Sequence, residues 1–90
     1  MAIYSKSTQY AVSMLTHIAQ SGKEKLSSVR EVSSATGISE PTVAKTLQLF
    51  VKEGLLDSKK GPGGGFHLVG SPGSITLGRI LQAVEGKEPF

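Results

Sequence analysis

A cluster of glycine and proline at residues 61–65 constrains the fold of this chain more than any other segment. The sequence there is Gly-Pro-Gly-Gly-Gly, and the interiors of helices and strands do not tolerate such a density of these two residues. Short apolar runs lie on either side, at residues 55–58 and 66–69, and the second alternates apolar and polar side chains. Two short strands joined by a glycine-containing turn are typical of a β-hairpin, which the sequence therefore predicts here.

Two helical segments with clear boundaries open the chain. The first ends near Gly22, and a polar connection follows in which residues 25–27 could form a very short strand. Ser28 and Glu31 match a capping box, which starts a second helix that ends near Gly37. The spacing predicts these inward-facing residues: Tyr10, Ala11, Met14, Leu15, Ile18 and Ala19 in the first helix, and Val32 and Ala35 in the second.

A third helix follows after barely two residues, and a fourth follows the hairpin. Ser39 is the expected cap of the third helix, Pro41 suits its first turn, and Gly54 stops it. Thr76 caps the fourth helix and Gly86 ends it. The predicted inner positions are Val43, Leu47, Phe50 and Val51 in the third helix, and Leu77, Ile80, Leu81 and Val84 in the fourth.

The order of these elements predicts a winged helix-turn-helix, a mainly α fold with a small β-hairpin. Two helices joined by a tight glycine-containing turn form the helix-turn-helix, at about residues 28–54. The hairpin at about residues 55–69 is the wing, and a closing helix covers about residues 76–85. Ninety residues suffice for one small domain, so we expect residues 1–90 to form a single module.

Composition narrows the classes of partner and chemistry. Ten basic residues against seven acidic ones give a net charge of +3, which favours an anionic partner. The absence of cysteine excludes disulfides, thiolate metal sites and cysteine nucleophiles within these residues. No secretory signal pattern and no apolar run of membrane-spanning length occur, so we expect a cytoplasmic protein with no membrane partner.

Enzymatic function is not predicted. No serine has the glycine pattern of a nucleophile elbow, and the residue after Gly65 is Phe66 rather than the lysine of a phosphate-binding loop. His17 has no second His, Asp or Glu at ligand spacing, so a packed or surface histidine is the commoner interpretation. His67 alternates with Phe66 and Leu68 and therefore points away from them, either toward phosphate or onto a solvated strand face.

The third helix carries the first set of candidate functional residues. Its apolar stripe leaves Thr42, Lys45, Thr46 and Lys52 on the other side, with Ser39 and Glu40 at the N-terminus. These short hydrogen-bonding or cationic side chains are the types that contact base edges and phosphates in a major groove. Ordinary solvation of an exposed helix face is the alternative, and neighbouring elements must decide between the two.

The wing supplies the second set, and its chemistry favours nucleic acid. Small residues at 63–65 let the backbone approach an anion closely, and Lys59 and Lys60 add positive charge beside them. We therefore interpret the wing as lying along phosphates or in a minor groove. A plain hairpin turn or flexible connector is the alternative interpretation.

Four segments, in order and at family spacing, resemble the N-terminal part of bacterial regulators of the IscR, NsrR and CymR type, the Rrf-two family. The glycine wing is the most specific of them, and the match covers almost the whole chain. The segments are STQYAV at 7–12, ISEPTVAK at 38–45, GLL at 54–56 followed by GPGGGF at 61–66, and ITL at 75–77 followed by AVEG at 83–86.

The resemblance implies a transcription factor that binds a palindromic operator in double-stranded DNA as a homodimer. The third helix would enter the major groove and the wing the adjacent minor groove. The part at residues 40–45 is similar to members that regulate the SUF iron–sulfur assembly system. Mapped onto this sequence, the DNA-binding residues are Ser39, Glu40, Thr42, Lys45 and Thr46 in the helix, and Lys59, Lys60, Gly63, Gly64 and Gly65 in the wing.

The chain also departs from the family pattern. Sensing members carry three cysteines after the fourth helix, which hold an iron–sulfur cluster, and then a long dimerisation helix, and both would lie beyond Phe90. Gln9 stands where some cluster-binding members have aspartate. We therefore expect no cofactor in this chain. We expect it to be either a truncated DNA-binding domain of a longer regulator, which the exposed end at residues 84–90 favours, or a naturally short member of the family, and we expect a homodimer in the full-length form. The alternative function left open is a winged helix that docks a partner protein without binding DNA.

Overall fold

The structure is a computed structural model that describes residues 5–22 and 25–85. Its helices are α1 (Lys6–Gln20), α2 (Val29–Thr36), α3 (Glu40–Lys52) and α4 (Leu77–Glu85), with a short 3-10 turn before α4. Strands β1 (Leu56–Lys59) and β2 (Gly65–Leu68) pair antiparallel between α3 and α4. The winged helix-turn-helix predicted from the sequence is confirmed, while Gly86, the predicted end of α4, lies outside the described residues. Within the described ranges no helix has the length and apolarity needed to cross a bilayer.

The helix boundaries follow from capping side chains. The Ser28 hydroxyl accepts a hydrogen bond from the Glu31 N–H at 3.1 Å, and the Glu31 carboxylate accepts one from the Ser28 N–H at 3.0 Å. This is the predicted capping box, and it starts α2. Gly37 ends the same helix with φ at 76°, a left-handed conformation that glycine adopts without steric cost.

The capping box makes helix α2 sensitive to acid. The Glu31 carboxylate accepts a hydrogen bond from the Ser28 backbone N–H, and this bond lowers the pKa of the Glu31 carboxyl. The side chain of Lys25 lowers the same pKa further through a hydrogen bond and its positive charge. A carboxyl whose pKa is lower in the folded state stabilises the fold above its unfolded pKa, and that stabilisation disappears as the pH falls through the folded pKa. We expect Glu31→Gln to lose less stability than the wild type between pH 6 and pH 3, both taken as rough limits around the ordinary carboxyl range. Urea denaturation across that range measures it, and parallel stability curves for the two proteins would contradict the assignment.

A single apolar core joins the four helices and the hairpin. Helix α1 contacts the other three helices and β2, and α3 contacts both α4 and β1. The fixed position of α3 relative to the hairpin follows from this shared core. The buried apolar residues are Ala11, Met14, Leu15, Ile18, Val32, Ile38, Val43, Leu47, Phe50, Leu55, Leu56, Phe66, Leu68, Ile80 and Ala83.

Three predicted core residues lie on the surface instead. Tyr10 is 36% exposed because the buried stripe of α1 runs through Thr8 instead. Thr8 is 1% exposed, and its hydroxyl is hydrogen-bonded. Ala35 is exposed because the eight-residue α2 packs against the core through Val29 and Val32, and Ala35 lies outside that contact. Leu77 is 41% exposed because it opens α4, ahead of the part of the helix that reaches the core.

The predicted strand at residues 25–27 is reduced to a single β-bridge. The Ser27 N–H donates to the Phe66 carbonyl at 2.9 Å, and the Phe66 N–H donates to the Ser27 carbonyl at 2.8 Å. After Ser27 the pairing does not continue within the described residues, because the chain turns into the Ser28 cap immediately afterwards. Strand β2 is therefore held on one side by β1 and on the other by Ser27.

Candidate nucleic-acid interface

The turn between α2 and α3 fixes the orientation of α3. Ile38 is 8% exposed and packs into the core, and its carbonyl accepts a hydrogen bond from the Ser33 hydroxyl at 2.5 Å. Its N–H donates to the Thr36 hydroxyl at 3.4 Å. Because the turn is anchored by both packing and hydrogen bonds, α3 leaves it in one direction.

The outward face of α3 carries polar and cationic side chains. Pro41, Lys45, Gln48 and Lys52 are all exposed and recur at the spacing of one helix face, with exposed Thr42 beside Pro41. Thr42 and Lys45 are therefore on the solvent face, as the sequence predicts. Gln48 is a member of this face that was not predicted as a site residue, although its position three residues after Lys45 indicates the same face.

A shallow groove of about 390 Å³ lies beside this face, and Thr46 lines it from a half-buried position. The groove also brings Ser7 of α1 and Val84 of α4 to the edge of the candidate interface. Nothing in the sequence indicates these two residues as site residues, because their proximity to α3 depends on packing between distant segments. The lining residues are Ser7, Pro41, Thr42, Lys45, Thr46, Leu49 and Val84.

Ser39 occupies the cap position of α3 but does not cap it. Its side chain accepts no hydrogen bond from the helix backbone. The Ser39 hydroxyl instead donates to the Thr42 hydroxyl oxygen at 3.0 Å. Glu40, the first residue of the helix, is exposed. The sequence thus locates the N-cap residue of α3 correctly, but the side-chain capping bond is absent, and Ser39 is bonded to a second candidate DNA contact.

The wing ends in a tight turn with two lysines beside it. The Gly64 N–H donates to the Gly61 carbonyl at 2.9 Å, and Gly63 between them has φ at 75°. With Pro62 in the second position, these are the features of a type II turn. Lys59 and Lys60 are exposed, and neither forms an ion pair with any other residue in the described part of the chain. Their charges are thus uncompensated next to the turn.

Two wing glycines are required by close backbone approaches inside the protein. A Cβ atom on Gly64 would overlap the carbonyl oxygen of Lys59 and lie 2.9 Å from that of Gly61. A Cβ atom on Gly65 would lie 2.7 Å from the Ser27 carbonyl oxygen. The glycine run thus serves the hairpin itself, and the DNA contacts assigned to Gly63, Gly64 and Gly65 stay a prediction.

The two histidines do not belong to a metal-binding group among the described residues. His67 lies on the solvent side of β2 opposite Asp57, and its Nδ1 atom is 3.1 Å from the Leu68 carbonyl oxygen. His17 is half-buried near the end of α1. No group of three His, Cys, Asp or Glu side chains lies within metal-binding reach of one another in residues 5–22 and 25–85.

A helix-turn-helix whose second helix exposes polar and cationic residues, followed by a lysine-flanked hairpin, defines the winged-helix class of proteins. Within that class, the Rrf2 (Rrf-two) family, described as an iron-dependent transcriptional regulator, matches residues 4–90. The chain belongs to this family.

Individual relatives agree with the family assignment. The HTH-type transcriptional regulator NsrR of Halalkalibacterium halodurans is 33% identical over 78 residues, covering 87% of this chain and 53% of that protein. The structure of CymR (YrzC), the global cysteine regulator of B. subtilis, superposes with a TM-score of 0.86 at 25% identity, over 97% of this chain and 67% of that one. The structure of T. potens IscR superposes with a TM-score of 0.84 at 29% identity, over 99% of this chain and 65% of that one. The chain spans about half the length of the curated relatives it matches.

The residues present do not fit an iron–sulfur cluster. The ninety residues contain no cysteine, so they offer no thiolate ligands. The described carboxylates and histidines are too far apart to replace them. Residues 5–22 and 25–85 therefore contain no ligand set for the iron in the family description.

Proposed function

We propose that this chain is the DNA-binding domain of a transcriptional regulator. The observation that carries the proposal is the pairing of two surfaces in one rigid fold: the exposed face of α3, with Thr42 and Lys45, and the uncompensated Lys59 and Lys60 of the wing. The regulator NsrR is similar to this chain in sequence, and T. potens IscR has the same fold, which supports the same role here.

In the proposed complex, α3 lies in the major groove. Polar side chains on the first turns of a recognition helix reach base edges, so Thr42 and Lys45 would contact bases, with Ser39, Glu40 and Thr46 around them. The wing lies along the backbone or in the adjacent minor groove, where Lys59 and Lys60 neutralise phosphates. The helix supplies sequence discrimination, and the wing supplies affinity and register.

The proposal extends to the assembly and compartment. A homodimer of the full-length form would bind a palindromic operator, whose half-sites lie about one helical turn apart. A bacterial regulator of this kind meets its operator in the cytoplasm. We also propose that these ninety residues bind no cofactor and catalyse no reaction, and that the regulated genes belong to iron–sulfur cluster assembly or a related stress response.

Salt dependence distinguishes DNA binding from the alternative, a winged helix that docks a protein. If Lys59 and Lys60 each neutralise one phosphate, the logarithm of the binding constant should fall with the logarithm of salt concentration at a slope of about −1.8 or steeper, at about −0.9 per contact. Fluorescence anisotropy with a labelled duplex, selected from a random pool by the chain, measures this slope. Absence of duplex binding at low salt would contradict the proposal and favour the protein-docking alternative.

A further inference from the structure

We propose that Ser39 is a positioning residue that sets the Thr42 hydroxyl as a hydrogen-bond donor to a base in the major groove. This inference rests on the proposed function and deepens it, because it assigns a specificity role to one pair of side chains. The inference concerns which base α3 prefers, whereas the affinity for any duplex depends on the phosphate contacts of Lys59 and Lys60.

The geometry around Ser39 carries the first step. The residue precedes α3 in an extended conformation, with φ at −60° and ψ at 148°, where serine usually accepts a bond from the first turn of the helix. Here its hydroxyl donates to the Thr42 oxygen at 3.0 Å, and no backbone N–H is bonded to it. The side chain therefore organises a neighbour instead of stabilising the helix start.

The second step concerns the Thr42 side chain. A helical threonine normally divides between two rotamers, because its hydroxyl can bond the carbonyl a turn earlier. The bond from Ser39 selects the rotamer that directs the oxygen toward the start of the helix. In the proposed arrangement Ser39 is the donor of this hydroxyl–hydroxyl bond, which leaves the Thr42 hydrogen to donate to a base. Both side chains are exposed at the proposed interface.

The third step gives the base preference. Lys45 lies three residues further along the exposed face and carries only donors, so it and Thr42 together present donors to the groove. Guanine offers two acceptors there, N7 and O6, adenine offers N7, and thymine offers O4. Cytosine offers only its amino group, a donor. The pair should therefore select an acceptor-bearing base, guanine above all, and reject cytosine at the same strand position.

Two substitutions at Thr42 separate hydroxyl chemistry from shape. We would first select the preferred duplex with the wild-type chain, and then measure its affinity against duplexes carrying each single base change. Thr42→Val keeps the shape but removes the donor, and it should lose about 5-fold to 150-fold of discrimination at one base pair. Thr42→Ser retains the hydroxyl and should keep most of that discrimination.

Ser39 variants test positioning. Ser39→Ala should lower discrimination at the same base pair as Thr42→Val, and Ser39→Thr, which retains a hydroxyl, should restore it. In the Thr42→Val background, Ser39→Ala should have no further effect, since the residue acts through Thr42. Ser34→Ala, which removes an exposed hydroxyl from α2, is the matched control and should change no base preference. Melting temperatures monitor folding of each variant.

The possible results separate this inference from the proposed function. If the wild-type chain binds DNA with a clear preference but Thr42→Val or Ser39→Ala leaves that preference unchanged, the inference fails and the proposed function stands. Equal losses of affinity for Ser39→Ala on every duplex would make Ser39 a phosphate contact and would overturn the inference. An additive loss in the double variant would show that Ser39 acts independently of Thr42, which would also overturn the inference. Failure of the wild-type chain to bind any duplex would overturn the proposed function itself.

Discussion

Gly64→Ala is expected to lower the free energy of unfolding by about 3 kcal/mol, a large part of the stability of a small domain. The new methyl group would overlap the Lys59 carbonyl oxygen and lie 2.9 Å from the Gly61 carbonyl oxygen. Both obstacles are backbone atoms of the turn, so relief requires opening the hairpin. The cost is steric, because Gly64 does not have a positive φ.

Two other glycines provide matched controls for this prediction. Gly63 has φ at 75° but nothing within 4 Å of an added Cβ, so Gly63→Ala should cost only about 1 kcal/mol of conformational strain. Gly73 has neither a positive φ nor a contact closer than 4.0 Å, so Gly73→Ala should be close to neutral. Urea denaturation of the three variants measures the order. Equal stability of the Gly64 and Gly73 variants would show that the turn is not built as described.

Replacing Lys59 and Lys60 together with alanine is expected to weaken binding to all duplexes by a similar factor of about 100. Each exposed lysine would lose one charge-assisted contact to phosphate, worth about tenfold in affinity. The slope of the logarithm of the binding constant against the logarithm of salt concentration should become less steep by about 1.8, because the variant neutralises two fewer phosphates. Anisotropy titrations at several salt concentrations, on the selected duplex and on a random one, measure both effects.

Lys25→Ala is the matched control for charge removal. Lys25 is exposed but already lies 3.4 Å from the Glu31 carboxylate, at the start of α2. Its loss should leave the salt slope nearly unchanged. If the double wing variant also keeps the wild-type slope, the wing does not contact the phosphates.

Local signals made much of the fold predictable. The capping box at Ser28 and Glu31, the glycine that ends α2 and the proline in the first turn of α3 each act within a few residues, so the sequence alone locates these boundaries. The glycine run predicted the hairpin, although β1 and β2 occupy residues 56–59 and 65–68 rather than 55–58 and 66–69. That difference of one residue reflects the turn, which closes at Gly61 and Gly64.

Contacts between distant segments could not be predicted in this way. The Glu85 carboxylate accepts hydrogen bonds from the Ser5 hydroxyl at 2.7 Å and the Thr8 hydroxyl at 3.1 Å, which joins the start of α1 to the end of α4. This pairing explains why polar Thr8 is buried, and no local pattern indicates it. Ser7 and Val84 reach the groove beside α3 through the same packing. Periodicity identifies a helix face, but only the tertiary arrangement shows what lies against it.

The bridge between Ser27 and Phe66 has a consequence for the thermodynamics of association. Because the base of the wing is paired on both sides before any duplex arrives, its backbone has little freedom left to lose. The ordering penalty on forming a complex then falls on the few residues from Lys60 to Gly64 and on the lysine side chains. A short tip on a base that is already paired can therefore dock without a large entropic cost.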